Sequence, residues 1–245
     1  MSVDFSLVLP CYNEEKNIKI LFEEFINLPR ENVNKIELVF VNNGSTDKTE
    51  QEIDKVIEIN KSNKNVIINK VNLVTNQEYG GGIVAGLNAA KGDYLGWAHA
   101  DLQTPLLDFY KLFKIVIGKN KIFGKGYRVN NRGFDGIVSR FHENLASVIL
   151  GVKLKEINAQ PKIFSRDLMR YFNNFPKKWT VLDTYVFYVC LKNKIEIKVI
   201  DVIFKNRLYG QSKWKNNFKN FISHIFFNIV YLFKLRFTKV KNDSE

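Results

Sequence analysis

The segment GDYLGWAHADLQTP, residues 92–105, places His99, Asp101 and Gln103 on alternate positions directly after an apolar run. Alternate residues of a strand project from the same face, so these three side chains can act on one ligand. Imidazole nitrogen, carboxylate oxygen and amide oxygen can each bind a metal ion or hydrogen bond a polar ligand. We therefore expect a functional site where this strand ends.

Other apolar runs of the chain also end in polar or glycine-rich stretches. These stretches are Pro10-Cys11-Tyr12-Asn13-Glu14, Asn42-Asn43-Gly44-Ser45 and residues 76–82. In an open parallel sheet, ligands bind at the carboxyl ends of the strands, where such stretches converge. Together with the Asp101 segment, these stretches provide a carboxylate, two amides and a glycine-rich helix start. Such a set suits a ligand that combines a hydrogen-bonding base with a metal-bound diphosphate.

Strand and helix patterns alternate through the first half of the chain. Apolar runs at residues 5–10, 36–41, 65–71 and 93–98 predict four strands. The helices between them are predicted to begin at an Asn13 cap, at a capping box of Asp47 and Glu50, and at the glycines of a small-residue helix that Gly92 ends. This alternation predicts an α/β fold with a mostly parallel sheet and helices on both faces.

The second half of the chain has a looser pattern. Helices are predicted at residues 106–117, 136–150 and 180–192, with strands near 121–128 and 195–204. No internal repeat or Pro/Gly/Ser-rich linker separates the halves, so we expect one domain over residues 1–215 and a basic amphipathic extension over residues 216–245.

The bulk composition limits the class of protein. The chain of 245 residues has a formal net charge of +12 and two distant cysteines, Cys11 and Cys190. Such cysteine usage indicates neither a disulfide framework nor a zinc knuckle, and it favours a reducing, cytoplasmic location. The first residues lack a basic signal-peptide region, and no window reaches the apolar length of a spanning helix, so we expect neither export nor a bilayer crossing.

The segment from Phe218 to Phe233 carries apolar residues at helical spacing, within a stretch from Lys205 to Lys241 that contains no Asp or Glu. It predicts an amphipathic helix that either packs on the domain or anchors the chain to an anionic membrane surface, and we favour the anchor. Nucleic acid is not an expected partner, because the basic residues are not interleaved on a groove or sheet face.

The glycines of GGGIVA, residues 80–85, match a variant of the dinucleotide-binding fingerprint. That fingerprint belongs in the first strand-to-helix turn, whereas here the first such turn is PCYNEE, so a nicotinamide enzyme is disfavoured. Small residues at Gly80 and Gly81 instead predict a helix N-terminus that approaches a diphosphate or sugar closely.

The segments LPCYNEEKNI, IELVFVNNGSTDKT, GGGIVAGLNAAKGDYLGWAHADLQTP and RLYGQSKW occur in that order. Over about residues 5–215 they resemble the family 2 glycosyltransferases of GT-A fold, most closely the polyprenyl-phosphate sugar transferases of the dolichol-phosphate mannosyltransferase type. The resemblance implies an inverting enzyme that moves a hexose from a GDP- or UDP-sugar to a polyprenyl phosphate, with Mg²⁺ or Mn²⁺ as cofactor. It leaves open whether a separate membrane protein is a partner.

The resemblance also implies roles for individual residues. Asp101, Gln103 and His99 would hold the metal, although His99 stands where the family has an Asp and favours Mn²⁺ over Mg²⁺. Asn42 and Asn43 replace a pair of Asp that contacts the base or ribose, and they also suit a tight turn. The donor would be bound by Pro10, Tyr12, Glu14, Asn42, Asn43, Gly80, Gly81 and Ala100, and phosphates by Arg128, Arg140, Arg207 and Lys213, with weaker indications for Arg132 and Lys162.

The acceptor determines whether a general base is needed. An acceptor phosphate is already ionised, whereas a sugar hydroxyl needs a carboxylate base, for which Asp183 is the candidate unless it only begins a helix. Transfer to a hydroxyl in surface-polysaccharide synthesis is therefore an alternative. A nucleotide-sugar-binding protein with weak turnover is a further alternative, because His99, Asn42 and Asn43 stand where the family has acidic residues.

Overall fold

The computed structural model describes residues 2–130, 133–172, 179–208 and 218–238. One seven-stranded sheet organises these residues, in the order β3-β2-β1-β4-β6-β5-β7. The strands are β1 (Val3–Cys11), β2 (Ile36–Asn43), β3 (Val66–Leu73), β4 (Gly92–Trp97), β5 (Ile122–Arg128), β6 (Lys162–Ser165) and β7 (Glu196–Val202). The helices are α1 (Ile18–Ile26), α2 (Thr49–Asn60), α3 (Glu78–Ala89), α4 (Leu106–Val116), α5 (Gly133–Leu150), α6 (Trp179–Lys192) and α7 (Phe218–Phe237), with a short 3-10 helix at Arg166–Tyr171.

The sheet is parallel except around β6. Strands β1 to β4 pair in parallel, as do β5 and β7, while β6 runs antiparallel to both β4 and β5. The carboxyl ends of β1, β2, β4 and β5 therefore lie along one edge of the sheet. The predicted α/β class with a mostly parallel sheet is confirmed.

Helices cover both faces of the sheet, as predicted. On one face α1, α2 and α4 pack over a core that includes Phe5, Phe25, Phe109 and Phe113, whose rings meet at centroid distances of 4.7 to 6.1 Å. On the other face α3, α5, α6 and α7 cover a second core around Trp97. Each fully buried aromatic side chain contributes roughly 2 to 3 kcal/mol of transfer free energy, so both layers fix the sheet edge firmly.

Helix α7 contributes Leu232 and Leu235 to the second core, whereas Phe226, Phe233 and Phe237 are exposed. The predicted amphipathic helix is therefore present and packs on the domain through one face. Among the residues that the structure describes, no helix combines the length and apolar character that crossing a membrane requires.

Three predicted helix boundaries are wrong, because side chains have tertiary partners that local patterns do not reveal. Helix α1 begins at Ile18, and Asn13 has a positive φ of 58° and bonds Thr46 instead of capping the helix. Asp47 accepts a bond from the Thr49 N–H, but Glu50 bonds Lys70 and does not complete a capping box.

The small-residue helix α3 ends at Ala89, so Gly92 does not end it and instead begins β4. A Cβ at Gly92 would lie 2.4 Å from the backbone nitrogen of Ser6, which makes this position available only to glycine. Within α3, a Cβ at Gly86 would lie 2.3 Å from Val8 Cγ1. The small residues therefore let α3 lie directly on β1 and β2.

Candidate active site

The carboxyl ends of β1 and β4 bring Glu14, Asp101 and Gln103 together, and Arg207 joins them from beyond β7. Asp101 Oδ2 lies 3.1 Å from Arg207 Nη2. The Arg207 Nε–H donates to Gln103 Oε1 at 3.1 Å, and the Gln103 N–H donates to Asp101 Oδ1 at 3.2 Å. A single guanidinium thus bridges the predicted carboxylate and amide ligands.

The carboxylates of the site have shifted pKa values of opposite sign. Burial by itself would raise the pKa of Asp101, but the hydrogen bond and charge of His99 and the charge of Arg207 outweigh it and lower that pKa. Burial, followed by the negative charge of Asp101, raises the pKa of Glu14 to about 7. Asp101 is therefore the more fully ionised group of the pair at neutral pH, which favours it as the ligand for a cation.

His99 lies between Asp101 and an aromatic neighbour. Its Nδ1 is 3.7 Å from Asp101 Oδ2, and its ring meets the Tyr79 ring edge-on at a centroid distance of 4.9 Å. The Tyr79 hydroxyl is 3.0 Å from the amide of Gln160. The His99 side chain is partly exposed.

Asn42 and Asn43 are both buried, and both hold the backbone that surrounds the site. Asn42 Oδ1 accepts a bond from the Ser45 N–H at 3.2 Å, which closes the turn after β2. Asn43 Oδ1 accepts from the Gln77 N–H at 2.9 Å and its Nδ2 donates to the Glu78 carbonyl at 2.8 Å, so it fixes the start of α3. The turn role expected for these amides is present.

The remaining residues predicted to bind the donor line the same edge of the sheet. Pro10 lies in β1, and Tyr12 is the first residue after this strand. Gly80 and Gly81 are buried in the first turn of α3. The Ala100 carbonyl accepts a bond from Asn17 Nδ2 at 3.0 Å, which ties the Asp101 segment to α1. Lys213 and Arg132 lie outside the described residues.

Arg128 and Arg140 line a pocket of about 620 Å³ at the end of β5, which also includes Asn144, Lys155 and Glu156. Arg128 is buried, and its Nε–H donates to Glu156 Oε2 in an ion pair. Arg140 is exposed on α5. Arg128 and Arg140, two of the arginines that the resemblance implies for phosphate binding, therefore share one concave surface.

Asp183 does not reach the Asp101 cluster. It lies in α6 with only 2% of its surface exposed, and its Oδ1 is 3.1 Å from Lys162 Nζ. Burial lowers the pKa of Lys162, and the charge of Asp183 offsets part of that effect. The carboxylate is thus part of a buried ion pair, and the amide group of Gln160 lies 3.5 Å from Asp183 Oδ2.

Lys125 is a second buried lysine that sequence reasoning missed. It is the register partner of Lys162 across β5 and β6, and its ammonium group donates to the Lys155 carbonyl at 3.0 Å. Burial, and then the charge of Lys162, lower the pKa of Lys125 to about 7. The signal was available, because Lys125 interrupts the apolar alternation of IFGKGYR.

The segment after β7 connects the two regions. Phe204 exchanges hydrogen bonds with Asn130 at 2.8 and 3.0 Å, and the Arg128 guanidinium lies 5.7 Å from the centre of its ring. Next along the chain, the backbone of Lys205 bonds both the backbone carbonyl and the side-chain amide of Gln103. Arg207 then contacts Asp101. We call residues 203–208 the strap. It spans from the Arg128 pocket to the Asp101 cluster.

The donor set of the Asp101 cluster fits a divalent cation. The positive charge of Arg207 already lies against Asp101 Oδ2 and Gln103 Oε1, so both oxygens already face a cationic group. No group of three or more His, Cys, Asp or Glu side chains in the described ranges could hold a metal ion alone. The protein would therefore supply one carboxylate, one amide and one imidazole, and a bound diphosphate would supply further oxygens.

Comparison with known proteins agrees with this geometry. The model of the family described as glycosyl transferase family 2 matches residues 6–212. The chain belongs to this family. It is 35% identical over 117 residues to a dolichol-phosphate mannosyltransferase of Saccharomyces cerevisiae, covering 46% of this chain and 41% of the relative. It is 26% identical over 215 residues to an undecaprenyl-phosphate 4-deoxy-4-formamido-L-arabinose transferase of Photorhabdus laumondii, covering 85% and 62%.

A solved structure of glucosyl-3-phosphoglycerate synthase from Mycobacterium tuberculosis, in complex with Mn²⁺, UDP-glucose and phosphoglyceric acid, shares the fold of this family 2 chain. The TM-score is 0.70 at 17% identity, over 96% of this chain and 79% of the other. The GT-A fold is thus confirmed. The chain spans 41% and 62% of the two curated relatives described above.

Proposed function

We propose that this chain transfers a hexose from a nucleotide sugar to a polyprenyl phosphate at a membrane surface, with inversion at the anomeric carbon. The observation that carries the proposal is the pairing of two charged regions along one sheet edge. The Asp101 cluster provides oxygens for a cation, and the Arg128 pocket provides guanidinium groups for an anion. A metal-bound diphosphate donor and a phosphate acceptor need this combination.

On the donor side, the chain's own groups hold and neutralise the diphosphate. Asp101, Gln103 and His99 would hold Mg²⁺ or Mn²⁺, and the bound metal would neutralise charge that develops on the leaving diphosphate. Arg207 lies at the same position and can donate to a diphosphate oxygen once that cation takes its place beside Asp101. Glu14, Pro10, Tyr12, Gly80, Gly81 and Ala100 form the surrounding surface, and Asn42 and Asn43 fix its loops.

On the acceptor side, an oxygen of the acceptor phosphate attacks C1 of the sugar from the face opposite the leaving diphosphate. A new C1–O bond forms as the bond to the nucleoside diphosphate breaks, which inverts the anomeric centre. Arg128 and Arg140 hold the acceptor phosphate, and Lys213 is proposed to assist them. The phosphate is ionised at neutral pH, so no residue has to remove a proton.

The state of Asp183 supports a phosphate acceptor over a sugar hydroxyl. A general base has to reach the proton that it removes, within about 3 Å or through one water. Asp183 is almost fully buried and paired with Lys162, so it is placed to stabilise the fold. We propose that its role is to position Lys162 and Gln160 behind Tyr79.

The exposed face of α7 supports a membrane-surface location. Phe226, Phe233 and Phe237 are exposed, and Lys234 and Arg236 lie among them. Aromatic side chains beside basic ones bind the headgroup region of anionic membranes. We propose a peripheral location on the cytoplasmic face of the membrane, with residues 1–215 as the catalytic domain and residues 216–245 as the membrane-directed extension.

Sugar transfer to a short acceptor tests the proposal. Radiolabelled UDP- and GDP-sugars are incubated with the chain, Mn²⁺ and either farnesyl phosphate or farnesol. We expect a labelled product with farnesyl phosphate and none with farnesol. Product with farnesol alone would contradict a phosphate acceptor, and donor binding without any transfer would support a binding protein.

A further inference from the structure

The Arg128 guanidinium already has an anionic partner inside the proposed acceptor pocket. Its Nε–H donates to Glu156 Oε2, while its Nη2, which is buried, has no hydrogen-bond partner among the described residues. Arg128 as a whole is 8% exposed. A buried guanidinium nitrogen without a partner is costly, so this edge of Arg128 is a place where a ligand oxygen would be favoured.

Glu156 is held in place beside Arg128. Its backbone has a φ of 49°, a left-handed conformation that few residues other than glycine adopt, in the loop between α5 and β6. The Ile157 N–H next to it donates to Glu143 at 3.3 Å. The Phe204 ring of the strap also lies against the Arg128 guanidinium, 5.7 Å from its ring centre. The loop and the strap together keep the Glu156 carboxylate and the guanidinium paired.

The charges of the pocket are nearly balanced by these carboxylates. Its cationic side chains are Arg128, Arg140 and Lys155, and its acidic ones are Glu143 and Glu156. Burial, together with the negative charge of Glu156, raises the pKa of Glu143. An incoming phosphate therefore meets an arginine whose charge is shared with a fixed anion.

We infer that Glu156 is the resident counter-anion of the acceptor pocket and limits its affinity for phosphate, a role that rests on the proposed function of Arg128. An acceptor phosphate that enters the pocket beside Arg128 and Arg140 also lies beside Glu156, so attraction and repulsion act on the ligand together. The pocket then binds a phosphate weakly through charge alone, and the prenyl chain has to supply additional binding energy. Inorganic phosphate is consequently a poor competitor.

The test compares charge and shape at residue 156. Glu156→Gln keeps an oxygen that can accept from Arg128 Nε but removes the negative charge, and Glu156→Asp keeps the charge. Glu52→Gln on α2, at the opposite end of the sheet, makes the same change in net charge away from the pocket. Binding of farnesyl phosphate and of inorganic phosphate is measured by calorimetry on the full chain, after thermal melting confirms that each variant is folded.

We expect Glu156→Gln to bind both ligands about tenfold more tightly than the unmodified chain, since a like charge beside the ligand is removed. Glu156→Asp and Glu52→Gln should bind as the unmodified chain does. Equal or weaker phosphate binding by Glu156→Gln would overturn the inference, because it would assign Glu156 a purely structural role.

Arg128→Ala separates this inference from the proposed function. If the unmodified chain binds farnesyl phosphate and Arg128→Ala does not, the pocket is an acceptor site, and the Glu156→Gln result decides the inference alone. If neither protein binds farnesyl phosphate, the acceptor role of the pocket is wrong, and the inference is overturned with it.

Discussion

The Asp101 cluster and the Arg128 pocket lie along the same edge of the sheet but handle charge in opposite ways. The first holds an arginine between a carboxylate and an amide, and the second holds a carboxylate against a buried arginine. In each, a charged side chain of the protein lies where the proposed ligand's charge would act. Under the proposed function, the fold therefore keeps a cation site and an anion site apart on one sheet, and the strap contacts both.

Replacing Asp101 should have the largest effect on sugar transfer, because it removes the carboxylate of the proposed cation site. We expect Asp101→Ala to lower sugar transfer about 100-fold or more, the loss typical of removing a key electrostatic group. Steady-state transfer assays measure it. Asp93→Asn, at the exposed opposite end of β4, is the control and should retain activity. Near-normal transfer by Asp101→Ala would place the donor site elsewhere.

Replacing Asp183 tests whether this buried carboxylate stabilises the fold or takes part in the chemistry. Asp183→Ala leaves Lys162 buried without its counter-charge and close to Lys125, so we expect the free energy of unfolding to fall by about 3 kcal/mol. Urea denaturation measures this change. The folded fraction should still transfer sugar to farnesyl phosphate, whereas a stable but inactive variant would indicate a general base.

Replacing the exposed aromatic residues of α7 tests whether this helix binds a membrane surface. The double change Phe233→Ser and Phe237→Ser removes exposed apolar surface, and we expect about tenfold weaker binding to vesicles that contain anionic lipid. Vesicle co-sedimentation measures it. Leu107→Ser, an exposed apolar position on α4 across the sheet, should bind as the unmodified chain does.

Lys125 offers the mildest test, through the pH dependence of stability. Its pKa is about 7 in the folded chain and lies near 10.4 in an unfolded one, so the charged lysine opposes folding below pH 7. As the pH rises from 7 toward 10, the folded chain loses this proton first and gains stability.

We therefore expect Lys125→Met to be more stable than the unmodified chain at pH 6, by about 1 kcal/mol or more. The advantage should shrink as the pH approaches 10. Thermal melts across this range measure it, with Lys119→Met on the partly exposed surface as the control. An advantage that does not change with pH would show that Lys125 does not titrate in this window.

The sequence predicted the sheet and its functional edge because both depend on local patterns. Apolar runs locate the strands, and strand ends locate Glu14, Asn42 and Asp101. Helix starts were predicted less well, because Asn13 and Glu50 bond to side chains far along the chain instead of to their own helices.

The Arg128 pocket could be predicted only in part from the sequence. Arg128 and Arg140 follow from the resemblance, but Glu156 and Phe204 are distant from Arg128 in sequence and meet it only through the fold. The same holds for Tyr79, which lies near the predicted glycines but reaches His99 and Gln160 by tertiary packing. Long-range pairs of this kind have no periodicity or spacing from which they could be predicted.

Donor binding with and without metal tests the central claim most directly. UDP- and GDP-sugars are titrated into the chain in the presence of Mn²⁺, Mg²⁺ or a chelator, and into Asp101→Ala. We expect that one donor binds tightly, that the chelator weakens its binding, and that Asp101→Ala abolishes the metal-dependent part. Absence of binding by any nucleotide sugar under all conditions would contradict it.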